Sequence, residues 1–162
     1  MGRFSEPRHP AFTALDTSLG FDRELWPYDV AQSRAHAGML ADRARVAGLY
    51  REALAAIEGL QLPCEDAGGD RRGWFVFVVQ LPPGADRDAT ILALREHGVQ
   101  SKPYLPAIHL MSYYRETFGH REGEFPVCED VAARSVALPF FPGLDEGRIE
   151  RVAEALRAVL QP

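Results

Sequence analysis

Of the eighteen basic residues in this chain, seventeen are arginine, and Lys102 is the single lysine. Any chemistry that passes through a Schiff-base amine must therefore use Lys102 or be absent. Lys102 opens the stretch KPYLPAIHLMSYYRETFGHREGEFPVCEDVAARSVALPFF, residues 102–141, in or near which lie three of the five histidines. Prolines 103, 106, 126, 139 and 142 punctuate its apolar runs, which predicts an ordered, irregular connection between helices and strands of the kind that lines a site. His9, His36, His97, His109 and His120 are too dispersed for paired zinc ligation, and only His109 and His120, with Glu122 or Glu124, could converge. No metal is expected. No nucleophile-elbow pattern frames Ser33, Ser101 or Cys128. Gly68-Gly69 lacks the Lys-Ser/Thr and helix start of a phosphate cradle.

The elements that would position these residues follow from period and punctuation. Residues 1–28 show no sustained period and are broken by Pro7, Pro10, Gly20 and Pro27, which predicts a turn-rich arm with at most a short helix over residues 9–15. From Asp29, a good N-cap, to Ile57 the chain is rich in Ala, Leu and Arg and free of proline, which predicts helix, either continuous or split near residues 38–42. Val46, Leu49, Tyr50, Ala53, Leu54 and Ile57 form its buried stripe. LQLPC predicts a short strand, and WFVFVVQL, residues 74–81, the strongest one, placed centrally with both faces covered. Asp86 or Asp88 caps a helix that turns Ile91, Leu92 and Leu94 inward and ends at Gly98. Residues 99–102 then make a strand, HLMSYYRETFG and FPVCEDVAARS two helices, and VALPFF a strand. LDEGRIERVAEALRAVL is an amphipathic helix capped by Asp145, with Ile149, Val152, Leu156, Val159 and Leu160 in the core. The predicted class is α+β, a two-layer α/β sandwich. A small, mainly antiparallel sheet of three or four strands packs on a long N-terminal helix and the C-terminal amphipathic helix.

Composition narrows the partners. A chain of 162 residues with 46% hydrophobic content is long enough for one globular unit. Its net charge of −5 argues against binding nucleic acid by counterion release. No apolar run approaches a membrane span or a signal-peptide core, so the cytoplasm is the expected compartment and no membrane partner is expected. Cys64 and Cys128 have no paired spacing and read as buried, reduced thiols. The aromatic runs at residues 74–77 and 140–141 read as core, not as stacking platforms.

Two resemblances are carried by the residues. GRFSEP, TSLGFDREL and YDVAQSRAHAGML, within residues 1–41, resemble the N-terminus of argininosuccinate lyases. In that family the serine matching Ser18 contacts substrate, and the helices that complete the site are not found in this sequence. RARVAGLYREALAAI, GWFVFVVQLPPGADRDATILALREHGVQSKPYLPAIHL, YYRETFG, EFPVCEDVAARSVALPFFPGL and the closing helix resemble the C-terminal small domain of DegT-type sugar aminotransferases, which use pyridoxal phosphate. This second resemblance covers residues 42–162. It implies that Tyr104 and His109 lie beside a cleft between large and small domains, and that Lys102 is not the aldimine lysine, which belongs to the large domain. The implied arrangement is a chimera that crosses over between residues 39 and 45: a lyase-like arm and half-helix, residues 1–41, joined to an aminotransferase-like unit, residues 42–162. The expected function is that of a non-catalytic folded small domain with no cofactor of its own, able to self-associate through surface that would face a large domain. The alternatives are part of an aminotransferase with weak ligand binding, and lyase-related binding through Ser18.

Overall fold

The longest element starts earlier than its prolines suggest. In the computed structural model, which describes residues 19–161 and Pro10, helix α1 runs over Leu19–Leu54 with Pro27 inside it. The turn-rich arm is thus corrected over its last ten residues, and Asp29 is a helix-interior residue, not a cap. An interior proline forfeits one helical hydrogen bond and costs about 3 kcal/mol. Here the surrounding residues 23–38 are exposed, so water can satisfy the freed carbonyl. The choice between one helix and two resolves as one. It ends three residues before Ile57, in a tightened turn where the Ile57 N–H donates to Leu54 O at 3.1 Å and the Leu60 N–H to Ile57 O at 3.3 Å. Ser18 and most of the short helix foreseen over residues 9–15 lie outside the described residues. No described helix is long and apolar enough to cross a membrane.

The chain divides into two compact units, Met1–Met39 and Leu40–Pro162. The second is α+β. Its sheet has three antiparallel strands, β1 (Phe77–Gln80), β2 (Lys102–Pro103) and β3 (Ser135–Leu138), in the order β1-β3-β2. Phe77 lies opposite Leu138 and Val79 opposite Val136, while Lys102 and Pro103 face Ala137 and Val136. The central strand is therefore β3, which corrects the central placement of residues 74–81. Burial along β1 alternates, with Phe77 and Val79 buried and Val78 and Gln80 half-buried, so only one of its faces meets the core. Trp74, at φ +44°, ends the extended run before Phe75, which is 82% exposed. LQLPC contributes a single bridge, Gln61 to Gln80, on the free side of β1.

Helix α2 (Arg87–Glu96) is capped by Asp86, whose carboxylate accepts from the Ala89 N–H at 2.9 Å. Leu94 is fully buried and Ile91 packs against the core, but Leu92 is 61% exposed and does not turn inward. At 3.6 residues per turn, position 92 falls about 160° from position 94. HLMSYYRETFG splits into a 3₁₀ turn (Ile108–Leu110) and helix α3 (Ser112–Phe118), ended by Gly119 at φ +74°. Helix α4 (Pro126–Arg134) feeds β3 directly. Helix α5 (Glu146–Leu160) is capped by Asp145, which accepts from the Arg148 N–H at 2.9 Å, and buries Ile149, Val152 and Leu156 as the pattern predicts. The core joins Val46, Ala47, Tyr50 and Leu54 of α1 to Phe77, Val79, Leu81, Val136 and Leu138 of the sheet region and to α5. Both cysteines are free, but both are exposed, which corrects the buried placement: Cys64 follows the half-buried Pro63 into a solvated loop and Cys128 sits on the outer side of α4.

Candidate functional site

Chain direction brings His109 inward. The Tyr104 N–H extends the pairing of β2 with β3 by donating to Ser135 O at 3.4 Å. Leu105 then takes φ +50°, a left-handed conformation that is costly for a branched residue and doubly so before Pro106. This turn reverses the chain so that Ala107 is buried and His109, in the 3₁₀ turn, is only 9% exposed while Leu105 and Ile108 stay in solvent. The side chain of Tyr104 is half-buried. Among the described residues no hydrogen bond or ring contact joins it to His109, so the two expected cleft residues are neighbours along one turn and not a contacting pair.

What does meet His109 is a carboxylate twenty residues on. Glu129 Oε1, from α4, lies 2.9 Å from His109 Nε2. The same carboxylate accepts from the Gly123 N–H at 2.9 and 3.0 Å and from the Phe125 N–H at 3.1 Å. The Gly123 N–H first, then the His109 ring, hold the Glu129 carboxyl below the ordinary glutamate range. A second pair lies alongside. His120 Nδ1 is 2.7 Å from Glu124 Oε2, and that bond, above all, lowers the Glu124 carboxyl as well. The His109 and His120 rings stand edge to face at 6.2 Å, and Phe125 meets His109 at 4.8 Å.

His109 and His120, the only histidines whose places in the sequence leave them able to converge, do lie side by side, with Glu124 as a partner of His120. Glu122 is not in the pairing. Glu129 has no signature in local spacing. Among the described residues no group of three or more His, Cys, Asp or Glu side chains is arranged to hold a metal ion. A shallow depression of about 490 Å³, lined by Ser112, Arg115, Glu116, Gly119, His120 and Arg121, opens beside the pair. The exposed rings of Tyr113, Phe118 and Phe125 continue the surface around half-buried His120: Tyr113 to Phe118 at 6.1 Å, Phe118 to His120 at 6.2 Å and His120 to Phe125 at 6.1 Å. Lys102 is exposed on β2, an edge strand.

Comparison with known proteins agrees with this architecture. The profile of the DegT/DnrJ/EryC1/StrS aminotransferase family matches residues 30–157. A UDP-N-acetyl-3-dehydro-alpha-D-glucosamine 3-aminotransferase of Acidithiobacillus ferrooxidans is 34% identical over 147 residues, covering 88% of this chain and 38% of that protein. The spore coat polysaccharide biosynthesis protein SpsC of Bacillus subtilis is 29% identical over 123 residues, covering 74% and 31% respectively. Among solved structures, the aminotransferase TlmJ from Streptoalloteichus hindustanus superposes with a TM-score of 0.69 at 26% identity, over 81% of this chain and 34% of that one. The chain spans about a third of the length of the relatives it matches. The family profile over residues 30–157, the 34% identical relative and the shared fold place the chain in the DegT/DnrJ/EryC1/StrS aminotransferase family.

Proposed function

We propose that this chain acts as the small domain of a sugar aminotransferase, supplying one wall of a ligand cleft through Tyr104 and His109 without performing transamination itself. The position of Lys102 carries this reading. The only amine side chain in the sequence projects from a two-residue edge strand into solvent, whereas a Schiff-base lysine is activated by desolvation or by a cationic neighbour. The residues present therefore do not fit a covalently held pyridoxal phosphate. The test is absorbance after addition of pyridoxal phosphate. No internal-aldimine band is expected, and a band lost in Lys102→Ala overturns the proposal.

A second reading is retained ligand binding: the His120 ring, 6.2 Å from that of His109, lines the depression of about 490 Å³, so the His109–Glu129 pair stands next to a surface open to a polar ligand. Calorimetric titration with a nucleotide sugar addresses this second reading: binding lost on His109→Ala supports it. We also propose that residues 1–41 and 42–162 have separate origins, with a lyase-like segment preceding the aminotransferase unit. The boundary of the two compact units between Met39 and Leu40 supports this. Against it, the alignment with the A. ferrooxidans relative is longer than residues 42–162 and so enters the first 41. Genomic sequence upstream of the coding region decides between them: an adjacent, otherwise intact lyase or aminotransferase gene identifies which neighbour contributed residues 1–41.

A further inference from the structure

We infer that Glu129 is a positioning residue: it holds His109 with Nε2–H turned toward α4, so that Nδ1 is the atom left to meet a ligand. The inference rests on the reading of His109 as a cleft residue and names the chemistry it would use there. A carboxylate that is ionised has no proton to give, so across the 2.9 Å separation the ring nitrogen must be the donor. The carboxylate is itself committed, because the Gly123 and Phe125 N–H groups aim at the same oxygens and tie the loop between α3 and α4 to the start of α4. With Nε2–H used in this way, Nδ1 is the ring nitrogen left over, and it has no hydrogen-bond partner among the described residues. In the neutral ring Nδ1 accepts, and the ligand that suits it there carries a donor, a hydroxyl or an amide N–H. Phe125, edge-on to the ring at 4.8 Å, and Glu129 together leave His109 little freedom to flip.

The test is long-range ¹H–¹⁵N correlation of the histidine rings in the full chain, with the His109 signals assigned by their loss in His109→Gln. In its neutral form, wild-type His109 is expected to show a protonated Nε2 and an unprotonated Nδ1, by about tenfold or more over the other tautomer, as a charge-assisted bond to one nitrogen requires. Glu129→Gln keeps an acceptor oxygen and should retain this tautomer; Glu129→Ala should move it toward a mixture. A wild-type ring protonated at Nδ1, or a folded Glu129→Ala chain with an unchanged tautomer, overturns the inference. If Glu129→Ala does not fold, the wild-type assignment and Glu129→Gln still decide. Titration with millimolar UDP-N-acetylglucosamine separates this from the cleft reading. A shift at Nδ1 alone supports both, a shift confined to Nε2 overturns the positioning role, and no response overturns the cleft reading and its ligand while the tautomer result stands independently.

Discussion

Glu129 and Glu124 make the folded state sensitive to acid in a definite direction. Both carboxyls are held below the ordinary glutamate value, about 4.3 in an unfolded chain, by hydrogen bonds that exist only after folding. Such groups contribute stability above that value and lose it as pH falls through the lower, folded-state value. The thermal midpoint should therefore decline below about pH 4.5, and the decline should be shallower in Glu129→Gln, a difference read by melts between pH 7 and pH 3. Identical profiles for the two proteins would refute it. Tyr50 has the opposite sign. Burial raises its phenol well above the ordinary range near 10, so the neutral hydroxyl favours the folded state at all lower pH and that contribution is lost in alkali. Its Oη donates to Pro139 O at 2.7 Å while its ring stacks on Phe77 at 4.9 Å. Tyr50→Phe keeps the stack and strands the carbonyl, and should cost about 1–2 kcal/mol in chemical denaturation. These two residues also mark what a sequence can reveal. Tyr50 falls on a helical stripe and was legible as core. Glu129 adjoins Asp130, and nothing local says that one acid reaches His109 while the other pairs with Arg134 within the same helix.

Elements were legible where they begin and end on side-chain chemistry. Asp86 and Asp145 each accept the N–H three residues on, and Gly98 and Gly119 take the left-handed conformations that stop α2 and α3. Elements were misjudged where tertiary context overrides a local rule: Pro27 is carried inside a solvated helix, and β1 lies beside the central strand although it has the more apolar sequence. The same distinction supports a prediction for α1. Gly48 lies inside the helix with negative φ, and a Cβ built there meets nothing within 4 Å. Alanine would remove backbone entropy from the unfolded chain without a clash, so Gly48→Ala should stabilise the protein by about 0.5–1 kcal/mol. A lower denaturation midpoint would mean that α1 is not packed as described. The arginine-rich composition also finds its use at this scale. Arg87 donates to Ala132 O, Arg134 to Leu81 O and Arg157 to Ala53 O, each at 2.7–2.8 Å, so guanidinium groups tie α2 to α4, α4 to the residue after β1, and α5 to α1. A forked, always-charged donor can reach across an element gap and still share a carboxylate, as Arg134 does with Asp130.

Over the second unit as a whole, apolar side chains are divided unevenly between core and surface. The core closes among α1, the sheet, α2 and α5, yet Tyr113, Phe118, Phe125 and Val127 of the α3–α4 region are 49–78% exposed, and Ile108 and Met111 beside them are 57% and 47% exposed. Single exposed apolar residues are ordinary, but rings linked in series by contacts near 6 Å form a continuous patch. In a chain that spans about a third of its relatives' length, we propose that this face is made to be covered and that in isolation a second copy covers it. Closed pairing through one patch is the commonest symmetry available. Sedimentation velocity across a range from low to high micromolar concentration should show a reversible shift from monomer to dimer. Tyr113→Glu with Phe118→Glu places like charges at the centre of such a contact and should abolish the shift while leaving the melt nearly unchanged, because neither side chain belongs to the core. A wild-type chain that remains monomeric throughout, or a dimer indifferent to both charges, would show that the aromatic patch is not the associating surface.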